Sequence, residues 1–462
     1  MTEQDRPAAG STSNITARAI AAAYKAGVTD PVEVASEALA RASRAGAAFI
    51  SVDEAGALGA ARASAARWRA GAPLSAFDGV PLAWKDLFDV AGSVTTAGAQ
   101  IYRERAAATV DAPLVAAARR GGAIAIGKTN LSELAYSGLG LNPHFGTPVN
   151  PALDGEQGAR APGGSSSGSA VAVATGVVPL AMGTDTAGSI RVPAAFNGLT
   201  GYRASTARYP GEGVTGLSQT CDTSGPLAHD VTDCIDFDAL LRGAARVAPL
   251  PDVRGQRFIY DERSLARFGV SDAVARNLDT FVARLARAGA TIDTRTPASF
   301  LAACDVIREL GWIGSLEAFA RYRSLLDSPD AVRLDARVRT RLEASRNVSA
   351  TRLAELHARR ADLLAAFAQE LGDATLVLPS VPHVAPALAP LERDADLFAR
   401  VNLATLALTM PGSFLDTPAV ALPSGRDDAG LPTGAQLLRA QNDDDRLLAV
   451  AEAAQAVFSS QH

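Results

Sequence analysis

The chain has 462 residues, with 44 Lys plus Arg against 49 Asp plus Glu and a formal net charge of −5. A mildly acidic chain lacks the basic surface that nucleic-acid binding requires. With 48% hydrophobic and 20% charged residues it has the make-up of a globular protein that buries a large core. Its length would allow about three domains, although large α/β folds run longer as one unit. Only Lys25, Lys85 and Lys128 are lysine; the remaining 44 − 3 = 41 basic residues are arginine. Alanine makes up about a fifth of the chain, well above ordinary usage. A GC-rich coding bias accounts for both excesses, and leaves open why three positions stay lysine.

Cys221, Cys234 and Cys304 are odd in number and have no CxxC spacing, which fits a reducing cytoplasm better than a disulfide framework or a zinc site. The N-terminal stretch MTEQDRPAAGSTSN is polar and reads as a flexible tail over residues 1–14. Nowhere does the chain offer the roughly 18 uninterrupted apolar residues of a membrane span.

In chain order, residues 15–27 read as a helix stopped near Gly27. Asp30-Pro31 then supplies an N-cap and a first-turn proline for a second helix to about Arg44. A third, Ala/Arg-rich helix covers 53–70. From Gly79 to about Gly201, short apolar runs such as Ala123–Ile126 and Val177–Met182 alternate with Gly-rich loops and helical stretches, the rhythm of an α/β sheet protein. Pro249, Pro251 and Gly255 mark a seam within 243–260. Amphipathic helices are expected at 271–289 and 350–371, inside a helical cap or insertion over 260–370. Leu376–Leu378 and Ala419–Leu422 read as buried strands, each followed by a proline, and Asp443 opens a last helix to about Phe458. No internal repeat is visible.

Two small-residue turns hold the densest chemistry. Gly163-Gly164-Ser165-Ser166-Ser167-Gly168-Ser169 runs into AVAVATG, and a Gly/Ser loop opening a helix offers free N–H groups and hydroxyls. Gly183-Thr184-Asp185-Thr186-Ala187-Gly188-Ser189-Ile190-Arg191 follows, with Ser189 24 positions after Ser165. Taken singly, such loops are plain turns more often than active sites. Gly164–Gly168 formally matches GxSxG with Ser166 as nucleophile, but that elbow needs a strand before it, and PALDGEQGARAP is polar and proline-flanked. A Ser-His-Asp triad would draw on His144, His229, His357, His383 or His462, and nothing in the sequence pairs them with an acid. Lysine can serve as base instead. Its ordinary pKa of about 10.4 must then be lowered by burial. Lys85, in the apolar run GVPLAWKDLF, suits that, although a lone lysine usually snorkels to the surface.

The run GVPLAWKDLFDVAG-SVTTAG, then GGSSSGS, then GTDTAGSIRVPAAFNGLTG, resembles the amidase signature family in order and spacing, as do GKTNLSELA at 127–135, Asn142, Gly146 and Asn150-Pro151. The resemblance is close over about residues 75–240 and weaker through Leu376–Pro382, Ala419–Gly425 and 430–438. It implies a single large α/β domain over 15–462, with a twisted mixed sheet covered by helices, and a cofactor-free amidase cleaving a small carboxamide. Carried over residue by residue, it implies Ser189 as nucleophile, Ser165 as the cis-peptide bridging serine and Lys85 as base. The backbone N–H groups of Thr186, Ala187, Gly188 and Ser189 would form the oxyanion hole. Lys128 falls in a structural GKTN turn; Lys25 stays unexplained.

There are departures. Ala187-Gly188 stands where the family often has two glycines, which leaves the hole intact if Ala187 has negative φ. Ser167 stands where glycine is frequent; it caps the following helix or, with Gly164, contacts substrate, and capping is slightly favoured. Asp185 and Arg191 match positions that look architectural. Substrate hints disagree: RYPG at 208–211 with CDTSG at 221–225 is similar to aryl-acetamide hydrolases, and GGSSSGS to malonamidase and allophanate hydrolase. Trp312, Phe319 and Tyr322 could line the pocket. The partner expected is a small amide, with no nucleic acid and no membrane; a homodimer stays open. The alternatives are the glutaminase-type component of a glutamyl-tRNA amidotransferase, a hydrolase of urea-type amides, and a silent binding protein on the same fold.

Overall fold

Strands β1 (Phe49–Val52), β2 (Pro81–Lys85), β3 (Ile124–Thr129), β4 (Leu180–Asp185), β5 (Thr200–Arg203), β6 (Thr223–Ala228), β7 (Arg257–Tyr260), β8 (Thr291–Thr294), β9 (Thr375–Pro379), β10 (Ala419–Arg426) and β11 (Pro432–Leu438) join in one sheet, in the order β1-β3-β2-β4-β6-β5-β10-β11-β9-β7-β8. The computed structural model describes residues 15–153 and 158–459; the expected tail over 1–14 lies outside them. β2 runs parallel to β3 and β4, and β7 parallel to β8 and β9, while the other pairings are antiparallel. The result is a mixed sheet covered by helices, a single large α/β unit as expected.

Local signals act as the sequence suggests. Thr16 caps the helix Ala17–Lys25, and Asp30 accepts from the amides of Val32 and Glu33 to start Pro31–Ala42. Asp53 caps Glu54–Arg69, and the amphipathic stretches become Asp272–Arg287 and Ala350–Leu371. The prolines expected after two strands instead lie within them: Pro379 is the last residue of β9, and Pro423 precedes a register shift in β10. Within 260–370, helices accompany β8, which extends the sheet edge beside β7. No helix among the described residues is long and apolar enough to cross a membrane. Cys221, Cys234 and Cys304 are buried and unpaired.

Side chains of a strand alternate between the two faces of the sheet. Leu82 and Trp84 of β2 enter one core cluster with Met182, whereas Ala83 enters the other with Ile126, Ala181 and the helix Ser167–Ala174. That alternation carries Lys85 to the face of the Ser167–Ala174 helix. Because β2, β3 and β4 are parallel neighbours, the chain leaves all three at the same end. Lys85, Asn130–Ser132 and the 186–189 turn therefore converge there, as sites do at the carboxyl ends of parallel strands.

Candidate active site

Lys85 is fully buried, and its Nζ lies 2.7 Å from Ser165 Oγ, 3.0 Å from Ser166 Oγ and 2.8 Å from Thr184 Oγ1. Ser166 donates its own hydroxyl to Thr184 O, so toward Lys85 it acts as acceptor. Among the described residues no carboxylate touches the amine. Burial lowers its pKa from the ordinary 10.5 to about 7, with Asp185 and Asp222 pulling the other way at longer range. A neutral amine donates twice and accepts once, so three hydroxyls satisfy it without a counter-ion.

The Gly164–Ser165 peptide is cis. Ser132 N–H bonds Ser165 O at 3.1 Å, and Ser166 N–H bonds Ser189 O at 3.3 Å, holding the serine loop between the β3 exit and the β4 turn. A Cβ on Gly164 would lie 2.5 Å from Gly140 N, so the backbones meet there only because the residue is glycine. Ser189 is buried, and its hydroxyl makes no hydrogen bond among the described residues.

Asp185, at the end of β4, builds the turn. It accepts from Gly188 N at 2.7 Å, from Ile190 N at 3.1 Å, and from Arg191 Nε at 3.1 Å. Arg203 donates to both its backbone and its carboxylate oxygens. Burial alone would raise its pKa, but the Arg191 and Arg203 guanidiniums hold it well below the usual carboxylate range. The architectural expectation for Asp185 and Arg191 thus has a geometric basis. The Gly188 expectation needs correction: its N–H is already donated to Asp185, which leaves Thr186, Ala187 and Ser189 with amides unengaged among the described residues. Ala187 is not among the residues with positive φ.

Two adjoining compartments open beside this turn and share Ala135, Thr186 and Leu217. One, of about 260 Å³, holds Ser189, Ala187, Trp312, Arg341 and Met410. The other, of about 850 Å³, reaches Thr184 and Asp222. Trp312 is therefore at the site. Phe319 and Tyr322 pack in a core cluster instead, with the Tyr322 hydroxyl donating to Gly216 O. Gly164 and Ser167 are buried and form no part of either wall, which corrects their expected contact with substrate. The residue at the cap position of the Ser167–Ala174 helix is Ser166, which makes no side-chain cap bond, and Ser167 Oγ has no partner either. Capping by Ser167 is corrected with it.

Lys128, expected in a turn, lies instead in β3, and bonds Asp86 Oδ1 at 2.6 Å in a buried pair, a structural role. Lys25 is exposed. His144, which no sequence spacing pairs with an acid, stands 3.0 Å from Glu133 Oε1. Burial pushes the Glu133 carboxyl up to about 8. Sequence reasoning missed Thr184 as a partner of Lys85, because only the pairing of β2 with β4 brings it there, missed Ser166, which reaches the amine from the serine loop beside Ser165, and missed Arg341, which carries no local signal.

The amidase family model matches residues 31–448. The chain is 33% identical to 2-amino-5-chloromuconic acid deaminase of Comamonas testosteroni, covering 85% of this chain and 84% of that protein. It is 31% identical to mandelamide hydrolase of Pseudomonas putida, covering 89% and 84%. It is also 31% identical to one component of the glutamyl-tRNA(Gln) amidotransferase of Cupriavidus necator, covering 95% of each. With nearly its whole length matched and its strand-end site assembled from the motif segments, the chain belongs to the amidase family, hydrolases of C–N bonds in amides.

Proposed function

We propose that the protein hydrolyses a small carboxamide to a carboxylic acid and ammonia through Ser189, Ser165 and Lys85. The observation that carries this reading is the buried Lys85 amine, 2.7 Å from Ser165 Oγ, with no carboxylate in contact among the described residues and its pKa lowered to about 7. Neutral Lys85 takes the Ser165 proton while Ser165 takes that of Ser189, and Ser189 Oγ attacks the amide carbonyl. The free amides of Thr186, Ala187 and Ser189 supply donors for the oxyanion, each commonly worth about 3–4 kcal/mol. Protonated Lys85 returns the proton through Ser165 to the leaving nitrogen, the C–N bond breaks, and ammonia departs. Water then cleaves the acyl-enzyme by the same relay in reverse. One amide and one water are consumed, and one acid and one ammonia are formed.

A second reading is the glutaminase component of a glutamyl-tRNA amidotransferase, favoured by the end-to-end match to a component of such an enzyme. Ammonia release by the isolated protein, screened over aliphatic, aryl, dicarboxylic and urea-type amides and glutamine, separates the two. Activity alone on non-glutamine amides supports the first. Activity confined to glutamine, with co-purifying partner proteins, supports the second. Labelling by a fluorophosphonate should vanish in Ser189→Ala; retained labelling overturns the assignment of the nucleophile.

A further inference from the structure

The compartment that holds Ser189 contains one charged side chain, Arg341, and its wall includes no Asp or Glu. Arg341 is half-buried and makes no ion pair among the described residues. One guanidinium nitrogen, Nη1, donates to Tyr136 O at 2.5 Å, and the group stacks 4.2 Å from the centre of the Tyr136 ring. These contacts fix its orientation and leave further N–H donors free. Arg191, Arg203, Arg208 and Arg337 each meet an aspartate, whereas Arg341 shares with the half-buried Arg160, Arg339 and Arg360 the lack of an ion pair among the described residues; of those four, Arg341 is the one that lines the Ser189 compartment. The acids of the adjoining compartment are already engaged: Asp222 accepts from Thr186 Oγ1, Leu217 N and Ser218 N, and Glu317 from Ser218 and Thr220. Burying a cation without a partner is costly, and a planar guanidinium matches a carboxylate in geometry.

Resting on the hydrolytic reading above, we infer that Arg341 receives a carboxylate of the substrate, which is the monoamide of a short dicarboxylic acid and carries no ammonium group. The missing acid is what selects against an amino acid amide. An α-ammonium would be desolvated beside the Arg341 guanidinium with no counter-charge on that wall. Trp312, Leu406 and Met410 add apolar surface for the carbon chain between the two ends.

The test compares kcat/KM for ammonia release from glutaramic acid, its methyl ester and glutamine, which share one carbon chain, in wild type, Arg341→Met and Arg341→Lys. Wild type should prefer the acid to the ester by about 10- to 100-fold, the range for hydrogen bonds to a charged group. It should prefer the acid to glutamine at least tenfold. The acid-to-ester ratio should collapse toward one in Arg341→Met, chiefly through KM, and be intermediate in Arg341→Lys, which keeps charge but not the fork. Fluorophosphonate labelling of Ser189 reports that each variant is folded. An acid-to-ester ratio near one in wild type, a preference for glutamine, or an unchanged ratio in both variants overturns the inference while leaving the amidase reading standing. Failure to release ammonia from any amide overturns both.

Discussion

Replacing Lys85 by methionine tests the depressed amine through folding as well as turnover. In the unfolded chain this amine keeps its proton to about pH 10. In the folded protein, burial brings the pKa from 10.5 to about 7. Between those values the unfolded state binds more protons, so the stability contributed by this group rises with pH; below about pH 7 both states are protonated and the cost of the buried charge is fully present. A shift of 10.5 − 7 = 3.5 units corresponds to about 5 kcal/mol in total. Integrated from pH 7 to pH 9, it amounts to about 2 kcal/mol. Groups common to both proteins cancel in the difference, so the unfolding free energy of wild type minus that of Lys85→Met should climb by about 2 kcal/mol over that interval in urea titrations. The same amine governs the rate: kcat/KM should fall tenfold per unit below about pH 7, and Lys85→Met should lower it roughly 100- to 10,000-fold. A stability difference flat in pH, or near-normal turnover in Lys85→Met, refutes the reasoning.

Gly164→Ala should lower thermal stability by about 1–3 kcal/mol and abolish Ser189 labelling, because its Cβ would press 2.5 Å from a backbone nitrogen that cannot yield; unchanged labelling would separate the serine loop from the nucleophile. Asp185→Ala leaves the guanidiniums of Arg191 and Arg203 without their shared partner and should cost about 3–5 kcal/mol by chemical denaturation. A loss below about 1 kcal/mol would show that those arginines find other acceptors.

Much of the site was legible because its chemistry sits in contiguous runs. GGSSSGS and GTDTAGS each carry a turn, and the lysine stands in an apolar run that suits burial, although a lone lysine more often snorkels to the surface. What was not legible depends on register and distance. Thr184 joins Lys85 only because β4 lies parallel to β2, and no spacing in one chain reveals which strands pair. Gly188 looked like an oxyanion donor because the sequence shows its N–H but not the Asp185 carboxylate that takes it. Ser167 looked like a cap or a substrate contact, yet tight packing of the serine loop buries it clear of the cleft. Arg341 sits among dozens of arginines and is set apart by the Ser189 compartment it lines, a property that exists only in three dimensions. Helix boundaries fared well where Asp and Pro mark them, and the prolines of β9 and β10 fell inside strands because a register shift and a strand end tolerate a missing N–H.

The amine ends β2, and the hydroxyls lie on the loop before the Ser167–Ala174 helix, near the end of β4 and in the turn beyond it, whereas Trp312 and Arg341 arrive from helical chain more than a hundred residues later. Under the proposed mechanism, bond breaking and the part of substrate choice assigned to Trp312 and Arg341 are thus written in separate stretches of the gene. Variation in the 312–341 stretch would then change which amide is accepted without disturbing the proposed proton relay, so relatives of one ancestry can diverge in substrate while sharing one reaction. For an engineer, that segment is the place to randomise, and the three strands are the part to leave alone.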